Sequence, residues 1–148
     1  MSYILSKELY SDCVAESAIL NAEHWIELYG KKGYRANHGG MVDLENSGGF
    51  VYFTLRTPEN YLAGHAGFML INSPIYGMWI ALDAFYYIKP DHRGHMGMCR
   101  LLKFSGDYLT SHGIERVLLS GKTALALTPI IERSGFVKGG DLYSYVRK

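Results

Sequence analysis

The chain predicts a mixed α/β fold of the α+β kind, in which helices flank a sheet with both antiparallel and parallel neighbours. Three observations predict it. Apolar residues recur at three- and four-residue steps over residues 8–29 and then nearly alternate over 50–72, so the period changes from helix to strand. The segments after that alternate as strand, helix, strand, helix and strand. A glycine-punctuated turn, Arg93–Gly94–His95–Met96–Gly97, falls after several strands, whereas a doubly wound dinucleotide fold carries its glycine loop after the first strand and an acidic ribose-binding residue beyond it.

Each element follows in chain order. Val14, Ala18, Leu20, Ala22, Trp25, Ile26, Leu28 and Tyr29 give residues 8–29 an apolar helical face, Asp12, Glu16, Glu23 and Glu27 supply polar positions, and Gly30 ends the helix. Residues 30–48, rich in Gly, Asn and Lys, read as a loop, with MVDLEN a short helical turn or strand at its end. Phe50–Thr57 and Leu62–Asn72 form a hairpin around Pro58, Glu59 and Asn60. Met78–Ile88 is the central strand. Residues 97–112 form a helix with Met98, Leu101, Leu102, Phe104 and Leu109 on its apolar side, stopped by Gly113. Arg116–Ser120 reads as a buried strand, Leu125–Ser134 as a short helix closed by Gly135, and Phe136–Arg147 as the last strand or two.

Composition sets bounds. The 148 residues are 48% hydrophobic and 14% aromatic, enough for one core, and no linker or charge block divides residues 1–148, so a single domain is expected. Fifteen Lys and Arg against fourteen Asp and Glu leave +1. That balance, with no basic stripe interleaved with aromatics, argues against nucleic acid and against an anionic membrane surface. Cys13 and Cys99 are read as reduced thiols. The N-terminus lacks a signal-like apolar run, and a cytoplasmic location is expected. No metal is expected, because His92 and His95 lie three apart on a loop with no acidic or thiol ligand at matching spacing. A phosphate-cleaving P-loop is excluded, since no Gly-Lys-Ser/Thr follows the glycines.

The stretch from Asp83 to Gly113 carries the chemistry. An aromatic strand stops at Pro90, turns through Arg93, Gly94 and Gly97, and opens a helix. A helix start leaves its first N–H groups unpaired at the positive end of the dipole, so a diphosphate can be held there by main chain. Arg93 adds a fixed charge. An ordinary strand-to-helix turn has the same outline, and the residues alone leave both readings open.

From about Gly49 onward, IKPDHRGHMGMCRLL and IIERSGF, in the order hairpin, long strand, Arg-Gly loop, helix, strand, short helix and Gly-Phe, resemble the GCN5-related N-acetyltransferases, the GNAT family. The N-terminal helix with HWIELY resembles compact members from phage genomes. The resemblance implies an acyl-CoA N-acyltransferase fold and acetyl-CoA as co-substrate, moved to a primary amine by direct attack on the thioester. The pantetheine arm would pair with the central strand at Tyr87 and Ile88, whose amides polarise the thioester carbonyl. The diphosphate would rest on Arg93, Gly94, His95, Met96, Gly97 and Met98. The sequence departs from the family pattern where Met96 and Met98 stand at glycine positions, which puts the cradle's geometry in question.

Such a transfer needs an orientation for the amine, a base and an acid. The resemblance makes Asp83 the base, against the alternative of a carboxylate satisfied within the strand. The tyrosine that the family places on the later helix is replaced by Ile131; Tyr143 is the preferred acid, with Tyr145, Tyr86 and Tyr87 as alternatives. His24 and His65 are candidates for lining the cleft, and Lys122 and Thr123 stand where relatives carry a coenzyme-contacting Asn. The acceptor is expected to be a small-molecule or peptide amine, cationic if Glu23, Glu27, Asp43, Glu45 and Asp83 face its pocket. No membrane partner is expected, and a homodimer is admitted. The alternative function keeps the fold without transferase activity, as a protein-interaction module.

Overall fold

The computed structural model describes residues 2–30, 33–120 and 128–139. A five-stranded sheet runs in the order β1 (Ile4–Glu8), β2 (Phe50–Arg56), β3 (Leu62–Ser73), β4 (Met78–Ile88) and β5 (Arg116–Leu118). Each neighbouring pair among the first four strands is antiparallel, and β5 lies parallel to β4. The helices are α1 (Tyr10–Tyr29), α2 (His38–Asn46), α3 (Gly97–Ser111) and α4 (Thr128–Arg133). The fold is thus the mixed sheet with flanking helices that the sequence predicts.

One sheet face packs on α3. Phe53, Leu55, Ala66, Phe68, Ala81, Tyr86 and Ile88 meet Leu101, Leu102 and Leu109 there. The other face takes α1 and α2, through Tyr10 and Cys13 against Phe50 and Tyr52, and through Leu20 against Leu62 and Tyr87. Being covered on both faces, β2 is a nearly continuous run of apolar and aromatic residues rather than an alternating one.

Several elements differ from the sequence reading, among them β5, which is shorter than the expected 116–120 and has Arg116 and Leu118 exposed rather than buried. The N-terminal residues form β1, a five-residue strand whose Lys7 and Glu8 mask any period, and it exists because it adds to the edge of β2. Residues 38–46 form α2, which takes the helical alternative read for 41–46 and extends it back into the expected loop. Its two glycines lower intrinsic helicity, but Asn37 Oδ1 accepts from Gly40 N–H at 2.8 Å and Met41 and Val42 pack beside Tyr10. In return Glu45 caps the start of α1, its carboxylate accepting from Tyr10 and Ser11 N–H. The expected strand at 136–147 begins with residues 136–139, which are not a strand, and otherwise lies outside the described residues.

A buried cation fastens α1 to the sheet. Arg56, 8% exposed, binds Glu8 of β1 at 2.8 Å and Glu16 of α1 at 2.9 Å, and Thr54 donates to the same Glu8 carboxylate. Midway along β4 the register breaks. Gly67 faces Phe85 and its neighbour Phe68 faces Asp83, so Ala84 is the extra residue of a β-bulge. No helix among the described residues is long and apolar enough to cross a membrane.

Candidate active site

The β4–β5 ladder covers only Ile80–Leu82 and Arg116–Leu118. Beyond it, side chains of β4 hold the chain after β5: Asp83 accepts from Ser120 N–H at 3.0 Å and from Ser120 Oγ–H at 2.8 Å, and Tyr86 donates its hydroxyl to Ser120 O at 2.6 Å. Asp83 is paired opposite Phe68 and therefore shares the α3 face of the sheet. Its carboxylate sits at the seam of β4 and β5, in hydrogen bonds that also suit a structural role.

Past Ile88 the chain turns through a short 3-10 segment, Pro90–His92, and reaches the start of α3. Gly94 has φ 89°, open to glycine at little cost. Met96 takes the left-handed conformation at φ 60° and ψ 13° and stands at the N-cap of α3 without a capping side-chain bond. The backbone therefore keeps, at a methionine, a geometry suited to glycine. Gly97 is buried, and a Cβ there would meet Leu55 Cδ1 at 3.3 Å, so its side is closed by the core. The first-turn amides of Gly97, Met98 and Cys99 have no intrahelical acceptor.

A cavity of about 280 Å³ opens at this point, lined by Ile88, Arg93, Gly94, Met96, Gly97, Met98 and Cys99 together with Ile130 and Arg133. Of the residues named from sequence for the coenzyme, Ile88, Arg93, Gly94, Met96, Gly97 and Met98 line it. His95 is exposed and is not among the lining residues. Tyr87 points to the other face, 3% exposed, its ring stacked on His24 of α1 with centroids 4.7 Å apart. Arg133 was not anticipated from sequence. It arrives from α4, about forty residues along the chain from Arg93, and only its place in the last turn of a short helix packed near α3 brings it to the cavity.

Arg93 is bound more closely to α1 than its sequence position implies. Its Nη2 donates to Glu27 at 2.7 Å, its Nε donates to Ile88 O at 2.9 Å, and its guanidinium lies 5.3 Å above the Tyr87 ring. The Arg93 hydrogen bond, then its charge, holds the Glu27 carboxyl below the usual range, opposed by partial burial. Tyr87 is pushed up to about 12, first by burial and then by Glu27 and Glu23. Lys89 pairs with Glu23 at 3.4 Å, a second bridge from the turn to α1.

His65, wholly buried on β3, has Nδ1 at 2.9 Å from the Tyr52 hydroxyl and 3.2 Å from Ser17 Oγ. Burial, and secondarily His24, push it down to about 3, so the ring is neutral. His92 is engaged by Tyr3, 3.0 Å from its hydroxyl. Glu45 caps α1, as described above. Tyr143, Tyr145, Lys122 and Thr123 lie outside the described residues. Among the described residues no group of three His, Cys, Asp or Glu could hold a metal ion.

No protein-family model matches the chain, and no curated protein matches it in sequence. Solved structures do match along its length. A ribosomal-protein-alanine N-acetyltransferase from Brucella melitensis superposes with a TM-score of 0.74 at 19% identity, covering 100% of this chain and 99% of its own. An aminoglycoside acetyltransferase from an uncultured soil metagenomic sample, in complex with sisomicin, gives 0.76 at 13%, covering 99% and 97%. A predicted acetyltransferase from Clostridium acetobutylicum, with acetyl-CoA, gives 0.72 at 14%, covering 98% and 96%. Over its whole length the chain thus shares the fold of solved acetyltransferases. More particularly, the chain has the fold of the GCN5-related N-acetyltransferases.

Proposed function

We propose that this protein is an acetyl-CoA-dependent N-acetyltransferase acting on a primary amine, a small molecule or a peptide. One observation carries the reading: the end of β4 leads, through the short Pro90–His92 turn, to an uncapped helix start whose left-handed N-cap and buried glycine border a cavity with two arginines. The fit to a diphosphate follows from that chemistry. Amides of Gly97, Met98 and Cys99 would donate to it, and Arg93 and Arg133 would neutralise it.

Bound there, acetyl-CoA would supply an acetyl thioester. The chain's own groups do the rest. The main chain of Tyr87 and Ile88 would align the pantetheine arm as an added strand and polarise the carbonyl. Asp83 would accept the amine's proton, through water or through the Ser120 hydroxyl that already donates to its Oδ2. Tyr143 is the proposed acid for the departing thiol. The second reading is a fold kept for binding a protein partner, and the methionines at 96 and 98 favour it.

Thermal unfolding and calorimetric titration with acetyl-CoA and with CoA separate the two. Saturable, mutually competitive binding that Gly94→Glu abolishes is the expected result. No binding at millimolar coenzyme would leave the interaction module. Asp83→Asn tests the base: it should cut turnover about 100-fold and remove the acidic limb of its pH profile, and an unchanged profile would withdraw Asp83.

A further inference from the structure

Arg93 stands between two anionic destinations. Its guanidinium is held by Glu27 of α1 at 2.7 Å and by Ile88 O at 2.9 Å, yet the same residue lines the cavity at the start of α3. The pair is not sealed in, since the side chains keep 42% and 24% exposure. A partly solvated ion pair of this kind is weakly held. A diphosphate offers a guanidinium two charged oxygens in the geometry it prefers.

We propose that Arg93 is a latch worked by the coenzyme: the diphosphate draws the guanidinium away from Glu27, and the uncovered carboxylate receives the ammonium group of the acceptor. The inference rests on the acetyltransferase reading and adds an order and a substrate class to it. Coenzyme binds first and a cationic amine second, because without coenzyme the amine would have to displace Arg93.

The surroundings of Glu27 single it out. Arg93, Tyr87 and His24 face it. The neighbouring carboxylate on α1, Glu23, has its own cation in Lys89, which lies on the β4 side of the turn and outside the residues lining the cavity. Of these two carboxylates, Glu27 is therefore the one whose charge the coenzyme would release. The site it would open adjoins Tyr87, next to the strand end where the thioester would lie.

Coupling of this kind is reciprocal, so a cationic amine must also tighten the coenzyme. The wild-type protein is titrated with free CoA, which permits no turnover, while the Arg93 Nε–H resonance and the Glu27 carboxyl titration are followed by NMR. Calorimetry then measures putrescine and spermidine with and without saturating CoA. The latch requires a shifted Arg93 signal, a Glu27 pKa that rises towards the ordinary carboxylate value, and diamine binding at least fivefold tighter with CoA. Glu27→Gln should bind CoA severalfold more tightly, the competition being gone, and should lose the coupling.

If CoA binds while the Arg93 and Glu27 signals stay put, or if Glu27→Gln binds CoA no better, the latch is overturned and the acetyltransferase reading stands. If neither amine gains affinity from CoA, Glu27 is not the ammonium site. If wild-type protein binds no CoA at millimolar concentration, the reading beneath falls and takes the latch with it. The wild-type NMR experiment decides the question even if the variant folds poorly.

Discussion

Met96 holds a left-handed backbone that costs a side-chain-bearing residue about 1 kcal/mol relative to glycine. Met96→Gly should therefore raise stability by about 0.5–1 kcal/mol in urea titration while leaving coenzyme affinity within about twofold, because the ligand is read by amides. His65 makes a prediction in pH. Its folded value lies near 3 and its unfolded value near 6.5, so the unfolded chain binds the extra proton between them. Stability is thus fully present above pH 6.5 and is lost as pH falls, with a slope approaching about 1.4 kcal/mol per unit. Glu8 and Glu27, whose carboxyls are lowered from 4.5, add their own losses only further down. Urea midpoints measured from pH 7 to 5 should fall for the wild type and fall much less for His65→Gln. At this scale the turn into α3 was legible, since a helix start with glycines announces itself in local sequence. The engagement of Arg93 by Glu27 was not, because an ion pair between residues 66 apart leaves no local pattern.

Elements were readable where their own period was strong. The hairpin of β2 and β3, the central β4 and the amphipathic α3 fall within a residue or so of their predicted limits. β1 escaped, and α2 was read only as a short turn or strand over 41–46, because their stability is borrowed: β1 needs the edge of β2, and α2 exchanges contacts with α1 through Glu45, 35 residues from Tyr10. Arg56 is the rivet of that region, joining β1, β2 and α1. Arg56→Met strands Glu8 and Glu16 without their cation and should cost about 3 kcal/mol in equilibrium unfolding. Glu16 is more exposed than Glu8, at 44% against 27%, so restoring the loss should depend mainly on also neutralising Glu8, which an Arg56→Met, Glu8→Gln double variant would check.

For the molecule as a whole, the proposed coenzyme should act as a stabiliser. At one hundred times its dissociation constant it adds about 2.7 kcal/mol, a rise of roughly 5–10 °C in Tm for a chain of this size, readable by scanning calorimetry. The fold class was legible because helix and strand periods succeed each other in one order, whereas the proposed acceptor side would draw on α1 and the turn after β4, which are far apart in sequence. The bulge at Ala84 carries a last implication. Gly67 and Phe68 already meet Phe85 and Asp83, so a chain shortened by that one alanine would continue the ladder without a gap and keep every neighbouring side chain on its present face. The strand does not require the surplus residue to be a strand. Its removal should straighten β4 and leave unfolding nearly unchanged while altering how the strand's end meets the turn, so that a single codon's deletion would separate what the sheet needs in order to form from what it needs in order to hold a ligand.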